Sequence, residues 1–316
     1  MIIQILYYFF SFFVIWFGAD LIIKSVDRIA RKVKLSSFSI SFFLLGILTS
    51  IPEIAVSATA VADHTPEIFV GTLLGGTVTI FLLIIPLLAI LGKGIRISHD
   101  LSEANIIMTL FVMVIPSSLI IDKKVTNPEG MFLILLYGIL FYMIQRNHGI
   151  FEHGPQNIME LKAYSFLDMV KMGIGVAFVF ISSQNIVSQT VAFSELFHVP
   201  TYYISLLILS VGTNLPELSL ALRAVLSGKK SIAFGDYLGS SAANTLLFGI
   251  FTLVNDGEVL THNSFFITFL FTAAGLILIY FFSKSKRFIS VKEGWMLLGV
   301  YGLFIVYEMS RVLFRS

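Results

Sequence analysis

Apolar runs of about 20 residues follow one another along this chain, separated by short polar stretches. Ten can be counted, at about 3–23, 37–62, 67–91, 104–121, 130–145, 168–188, 201–226, 232–254, 264–283 and 293–312. A stretch of about 20 apolar residues wound as a helix crosses the roughly 30 Å hydrocarbon core of a bilayer. The pattern therefore predicts an all-α integral membrane protein with ten transmembrane helices. Composition agrees: 57% of the 316 residues are hydrophobic and 13% are charged, with a mean hydropathy of +0.91. A soluble domain carries about 25% charged residues. The first run lacks a basic lead-in, so it reads as a span rather than a cleaved leader. The absence of cysteine excludes disulfides and thiolate metal sites.

Charge distribution predicts the orientation. Arg28, Arg31, Lys32, Lys34, Lys93, Arg96, Arg146, Lys162, Lys229, Lys230, Lys284, Lys286, Arg287 and Lys292 fall in alternate loops on one side. Lys123, Lys124, Arg311 and Arg315 fall on the other. Basic loops stay cytoplasmic, so both termini are expected outside a plasma (inner) membrane. Asp20 and Lys24, four residues apart on one helical face, read as a local ion pair.

One segment breaks the apolar pattern. The run 201–226 contains "GTNLPE" at 212–217, in which Glu217 directly follows Pro216. Proline interrupts a helix and frees backbone carbonyls, here near 210–213. A charged residue inside the membrane costs about 2.5–3.5 kcal/mol on insertion scales. The same feature recurs at an offset of 164 residues. Thr49-Ser50-Ile51-Pro52-Glu53 falls on Thr213-Asn214-Leu215-Pro216-Glu217, and Gly71 with Leu74-Gly75 falls on Gly235 with Leu238-Gly239. Each half then holds five spans. Because five is odd, the second half enters the membrane from the opposite side, giving two inverted five-helix repeats. Such repeats bring equivalent residues together near the midplane and open the centre alternately to either side. Two carboxylates, hydroxyls and freed carbonyls are hard oxygen ligands, suited to sodium or calcium.

These residues resemble the sodium/calcium exchanger family of cation/calcium antiporters, whose two repeats carry approximately G-T-S-x-P-E and then G-N-x-x-G-S-x-x-x-N/D. The second half matches well, with "GTNLPE" (212–217) and "GDYLGSSAAN" (235–244). The first half is more divergent, with "LTSIPE" (48–53) and "GTLLGGTVTI" (71–80). The resemblance implies two exchanger membrane repeats, at 1–150 and 165–316. It implies Glu53 and Glu217 as central cation-binding carboxylates, with Thr49, Thr213, Ser50, Asn214, Ser240 and Asn244 as further oxygen ligands. Leu48, Gly76 and Ile80 depart from the pattern in the first half, and Thr72 and Asp236 replace an asparagine in each half. Sodium sites are therefore expected to be weaker on the span 3 side.

The implied function is secondary antiport: calcium export driven by sodium entry, with proton- or other-cation-coupled exchange as the alternative. A cation channel fits least, because a fused inverted repeat implies alternating access. No cofactor is implied, and the expected partners are calcium and sodium ions and the lipid bilayer, with no nucleic acid and no protein partner. An intramembrane enzyme would need a nucleophile or metal constellation, and neither H-E-x-x-H nor G-x-S-x-G occurs.

Overall fold

The computed structural model describes residues 2–32, 46–96, 102–148, 166–227, 230–255, 258–261, 265–284 and 287–313. Part of predicted span 2 (37–45) and the basic positions Lys34, Lys162, Lys229, Lys286 and Arg315 lie outside the described residues. So do the side chains of Arg223 and Asp236.

Helix α1 (Ile2–Lys32) is followed by a short α2 (Gly46–Thr49) and by α3 (Ile51–Ala62). The third span joins α4 (Pro66–Thr79) to α5 (Ile85–Leu91) through a π-turn at Ile80–Ile84. Then come α6 (Glu103–Leu119), α7 (Asn127–His148) and α8 (Phe166–Phe197). The seventh span starts with α9 (Thr201–Ile204), passes a π-turn at Ser205–Leu209, and ends with α10 (Ser210–Thr213). After it come α11 (Leu215–Ser227), α12 (Lys230–Val254), α13 (Phe266–Lys284) and α14 (Val291–Leu313).

Among the described residues, eight helices are long and apolar enough to cross a membrane. Predicted spans 2 and 7 are not continuous helices. Each is interrupted, at Ser50 and at Asn214, where the backbone leaves helical geometry (φ/ψ −78/10 and −85/17). Proline two residues later explains both breaks, since it donates no backbone hydrogen bond. Large apolar side chains such as Leu6, Phe13, Leu135, Phe281 and Val306 stand exposed around the outside. A multi-pass membrane protein presents that surface to lipid.

Elements recur at the 164-residue spacing, and equivalent elements run antiparallel. Helices α1 and α8 pack along their lengths: Tyr8 meets Thr190 at 3.1 Å, Ser11 meets Asn185 at 2.6 Å, and Gly18 approaches Gly175. Ascending numbers on one helix meet descending numbers on the other. In α4 and α12, Phe69 stacks on Phe248 and Phe251 while Leu73 meets Asn244. Two small ribbons tie the helix ends. Strand β1 (Ile95–Arg96) pairs with β4 (Phe288–Ile289), and β2 (Lys124–Val125) pairs with β3 (Val259–Leu260). The offset carries Ile95↔Ile289 onto Val259↔Val125 and Arg96↔Phe288 onto Leu260↔Lys124, so it converts one ribbon into the other. Lys123 and Arg287, one offset apart, both adopt positive φ (72° and 47°). The next helices share a cap: the Thr126 and Ser290 amides donate to Glu129 and Glu293 carboxylates at 2.8 and 2.6 Å.

The basic loops are less loop-like than expected on one count. Arg28, Arg31 and Lys32 belong to α1, which extends beyond the apolar run. The expected Asp20–Lys24 ion pair is present.

Candidate functional site: a pair of buried glutamates at two helix breaks

The two broken segments meet the continuous helices α4 and α12 at the centre. At Gly46, an added Cβ would stand 2.6 Å from the Gly239 carbonyl carbon and 2.8 Å from the Ser240 amide nitrogen. At Gly75, it would stand 2.5 Å from the Leu206 carbonyl oxygen and 2.7 Å from Ser210 Cβ. Gly46 and Ser210 are one offset apart, as are Gly75 and Gly239. Each broken segment thus touches the other half's continuous helix at a glycine, where no larger residue fits.

Each break is organised the same way. The last-turn carbonyl of Gly46 accepts the Ser50 hydroxyl at 2.8 Å and the Thr49 hydroxyl at 3.3 Å. The equivalent Ser210 carbonyl accepts the Asn214 amide at 2.7 Å and the Thr213 hydroxyl at 3.5 Å. Glu53 and Glu217 then stand in the first turns of α3 and α11. A helix N-terminus favours a carboxylate, and the carbonyl end of the preceding segment favours a cation.

Both glutamates are buried, with exposures of 1% and 0%. Glu217 Oε1 accepts the Ser240 hydroxyl at 2.8 Å, and Ser240 lies 3.4 Å from Ser50. The Glu217 backbone carbonyl accepts the Tyr237 hydroxyl at 3.3 Å. The Thr213 hydroxyl faces Glu53 and the Thr49 hydroxyl faces Glu217, each crossing to the other half. Neither approach has hydrogen-bond geometry, so Glu53 Oε1 and Oε2 and Glu217 Oε2 have no protein donor. Asn214 and Asn244 spend their amide nitrogens on the carbonyls of Ser210 and Leu73, at 2.7 and 3.5 Å. That fixes their orientation and leaves both Oδ1 atoms without a partner. Five partnerless buried oxygens around two facing carboxylates suit a hard cation, because burying unpaired acceptors is otherwise costly.

All eight residues expected from the sequence are buried, and contacts link them across the breaks. The departures in span 3 have a structural counterpart. A Cβ on Gly76 would lie 2.9 Å from Asn244 Nδ2 and 3.2 Å from Asn214 Nδ2, so the second half's amides occupy the space beside it. Ile80 is fully buried, and the Thr79 hydroxyl contacts Ser210 at 3.3 Å. Thr72 bonds back to the Ile68 carbonyl at 2.7 Å. The freed carbonyl at Ser210 falls in the 210–213 stretch expected from the sequence. Sequence reasoning missed Tyr237 and the equivalent Gly46 carbonyl, although Gly46, like Ser210, stands four residues before a break.

The family model described as "Sodium/calcium exchanger protein" matches residues 3–145 and 169–309. The chain is 26% identical over 329 residues to the sodium/calcium exchanger MaX1 of Methanosarcina acetivorans, covering 92% of this chain and 93% of that one. It is 25% identical over 258 residues to the inner membrane protein YrbG of Escherichia coli (strain K12), covering 77% and 79%. Among solved structures, the sodium-calcium exchanger NCX_Mj soaked with 2.5 mM Na+ and 1 mM Sr2+ superposes with a TM-score of 0.69. That match has 23% identity and covers 97% of this chain and 98% of that one, a likeness of fold.

Proposed function

We propose that this chain, which belongs to the sodium/calcium exchanger protein family, exports calcium in exchange for sodium entering by alternating access. Its family is one of cation/calcium antiporters, which are transporters and not enzymes. The finer reading assigns residues 1–150 and 165–316 to two inverted five-helix repeats. The shared offset, the exchanged ribbons and the antiparallel equivalent helices support it. Glu53, Glu217, Thr49, Thr213, Ser50, Asn214, Ser240 and Asn244 would supply the ligands. The protein would sit in the plasma (inner) membrane with both termini outside.

One observation carries the reading: two facing, buried carboxylates with three oxygens that no protein group satisfies. With no cation between them, the pair bears desolvation and mutual repulsion, and a buried ion costs several kcal/mol. A calcium ion neutralises both carboxylates, and sodium ions do the same in turn. A loaded centre can therefore be carried through a closed intermediate, whereas an empty one resists closure. That difference couples one ion's movement to the other's and makes exchange rather than leak. MaX1 and NCX_Mj carry sodium and calcium in their names. A second reading, coupling to protons or another cation, draws on Gly76 and Ile80, which offer no side-chain oxygen on α4.

The test is uptake of radioactive calcium into proteoliposomes with a sodium, potassium or proton gradient imposed in turn. Sodium-dependent uptake is expected. Uptake driven by protons or potassium alone would replace the sodium reading with the second one, and single-channel current steps would overturn antiport.

A further inference from the structure

A second buried carboxylate system lies outside the ligand set, where the end of α14 meets the start of α13. Glu308 on α14 is fully buried, at 0% exposure. Its Oε1 accepts the Thr268 hydroxyl of α13 at 3.1 Å. The Thr268 oxygen in turn lies 2.9 Å from the Tyr202 hydroxyl. A hydroxyl carries one proton, and that of Thr268 is committed to the carboxylate, so Tyr202 donates to Thr268. The other Glu308 oxygen has Arg311 Nη1 at 3.7 Å and no hydrogen bond.

Tyr202 is where this chain reaches the ion site. It lies in α9, the opening turn of the segment that ends at the Asn214 break. Its ring packs edge-on against Phe265, with centroids 4.5 Å apart, and its carbonyl abuts Gly71 of α4. The segment's start is thereby tied to α13 and α14 through three side chains, and its end carries Thr213 and Asn214. Removing the offset from Tyr202, Thr268 and Glu308 gives Phe38, Ala104 and Ile144, none of which can form these hydrogen bonds.

We propose that Tyr202, Thr268 and Glu308 form a one-sided latch, positioning residues that hold the start of the broken seventh span and bias the protein toward the conformation described here. The proposal rests on the alternating-access reading above. Two identical inverted halves would give two end states of equal energy, each the other's image through the membrane plane. A contact present in one half and absent from the other removes that equality and favours the state that contains it. The carboxylate strengthens the tie indirectly: by donating to an ionised acceptor, the Thr268 hydroxyl is polarised into a better acceptor for Tyr202. Moving the start of the seventh span away from α13 would strip the buried Thr268 oxygen of its Tyr202 donor and leave the Tyr202 hydroxyl without that acceptor.

The experiment uses the full-length protein in lipid nanodiscs. The chain has no cysteine, so His198→Cys and Met309→Cys can carry a spin-label pair, both positions being exposed. Distances between the labels are measured by pulsed electron resonance with sodium, with calcium and with neither. Thr268→Val and Tyr202→Phe each delete one hydroxyl at nearly constant shape, so folding is retained. Each is expected to shift the ratio of the two populations about fivefold away from the wild-type major state. Thr268→Ser keeps the hydroxyl and is expected to keep the wild-type ratio. If wild type responds to ions and both deletion variants share its distribution, the latch is wrong while alternating access stands. A Thr268→Ser shift as large as that of Thr268→Val would also overturn it, because the hydroxyl would not be the cause. A wild-type distance that never responds to any ion would instead sink alternating access, and the latch with it.

Discussion

Glu53 and Glu217 each stand three residues past a helix break, in a first turn that favours a carboxylate. Their shared environment makes them equivalent in consequence. Glu53→Gln and Glu217→Gln keep shape and remove charge, so each is expected to lower calcium transport at least about 30-fold while the protein still folds. Calcium flux into proteoliposomes, with size-exclusion behaviour as the folding control, checks this; wild-type flux in either folded variant removes that glutamate from the site. Gly76 is a different case. An added methyl would meet the amide ends of Asn244 and Asn214, at 2.9 and 3.2 Å, rather than backbone. Gly76→Ala is therefore expected to fold and to raise the calcium concentration for half-maximal flux, because the amides must turn. The glutamates were readable from the sequence because a charge after proline is conspicuous in an apolar run. The filling of the Gly76 space was not, since it depends on side chains more than 130 positions away.

At the scale of elements, hydrophobic periodicity located most spans, and their ends moved by a few residues. The sixth run was expected at 168–188, yet α8 continues to Phe197. Gln189, Thr190, Ser194 and Glu195 hid that continuation; among them Thr190 is accepted because Tyr8 of α1 is its partner. The ribbons β1–β4 and β2–β3 were invisible, as two-residue strands leave no period to read. The π-turn at Ile80–Ile84 precedes Pro86, whose ring crowds the preceding turn, but the one at Ser205–Leu209 has no proline to announce it. It packs where α4 presents Gly71 and Gly75. Close backbone approach there makes a contrast between glycines. Gly75→Ala would push a methyl into the Leu206 carbonyl at 2.5 Å, an overpacking that costs about 1–3 kcal/mol. Gly138 on α7 has nothing within 4 Å of an added Cβ, and alanine there is expected to stabilise by about 0.5–1 kcal/mol. Thermal midpoints in detergent should fall for Gly75→Ala and hold or rise for Gly138→Ala. Equal midpoints would mean that the α4 contact is not tight.

For the whole molecule, the charge count and the pseudo-symmetry make one joint prediction about orientation. The β1–β4 ribbon gathers Lys93, Arg96, Lys284, Arg287 and Lys292 at one end. The β2–β3 ribbon, its symmetry counterpart, carries Lys123 and Lys124 beside Asp122, Glu129 and Glu258. Fold alone cannot orient such a protein, because inverting it exchanges two nearly equivalent ends. The basic excess breaks the tie, and basic loops are retained in the cytoplasm. Lys123 and Arg287 supply matched probes: one offset apart, both at positive φ, each directly before a ribbon strand. Single cysteines at these two positions of the cysteine-free chain therefore differ mainly in the side they face. In intact cells, an impermeant thiol reagent is expected to label Lys123→Cys and to spare Arg287→Cys until the membrane is permeabilised. The reverse pattern would place both termini in the cytoplasm, and labelling of both would mean dual insertion, the outcome a stronger charge bias at one end normally prevents.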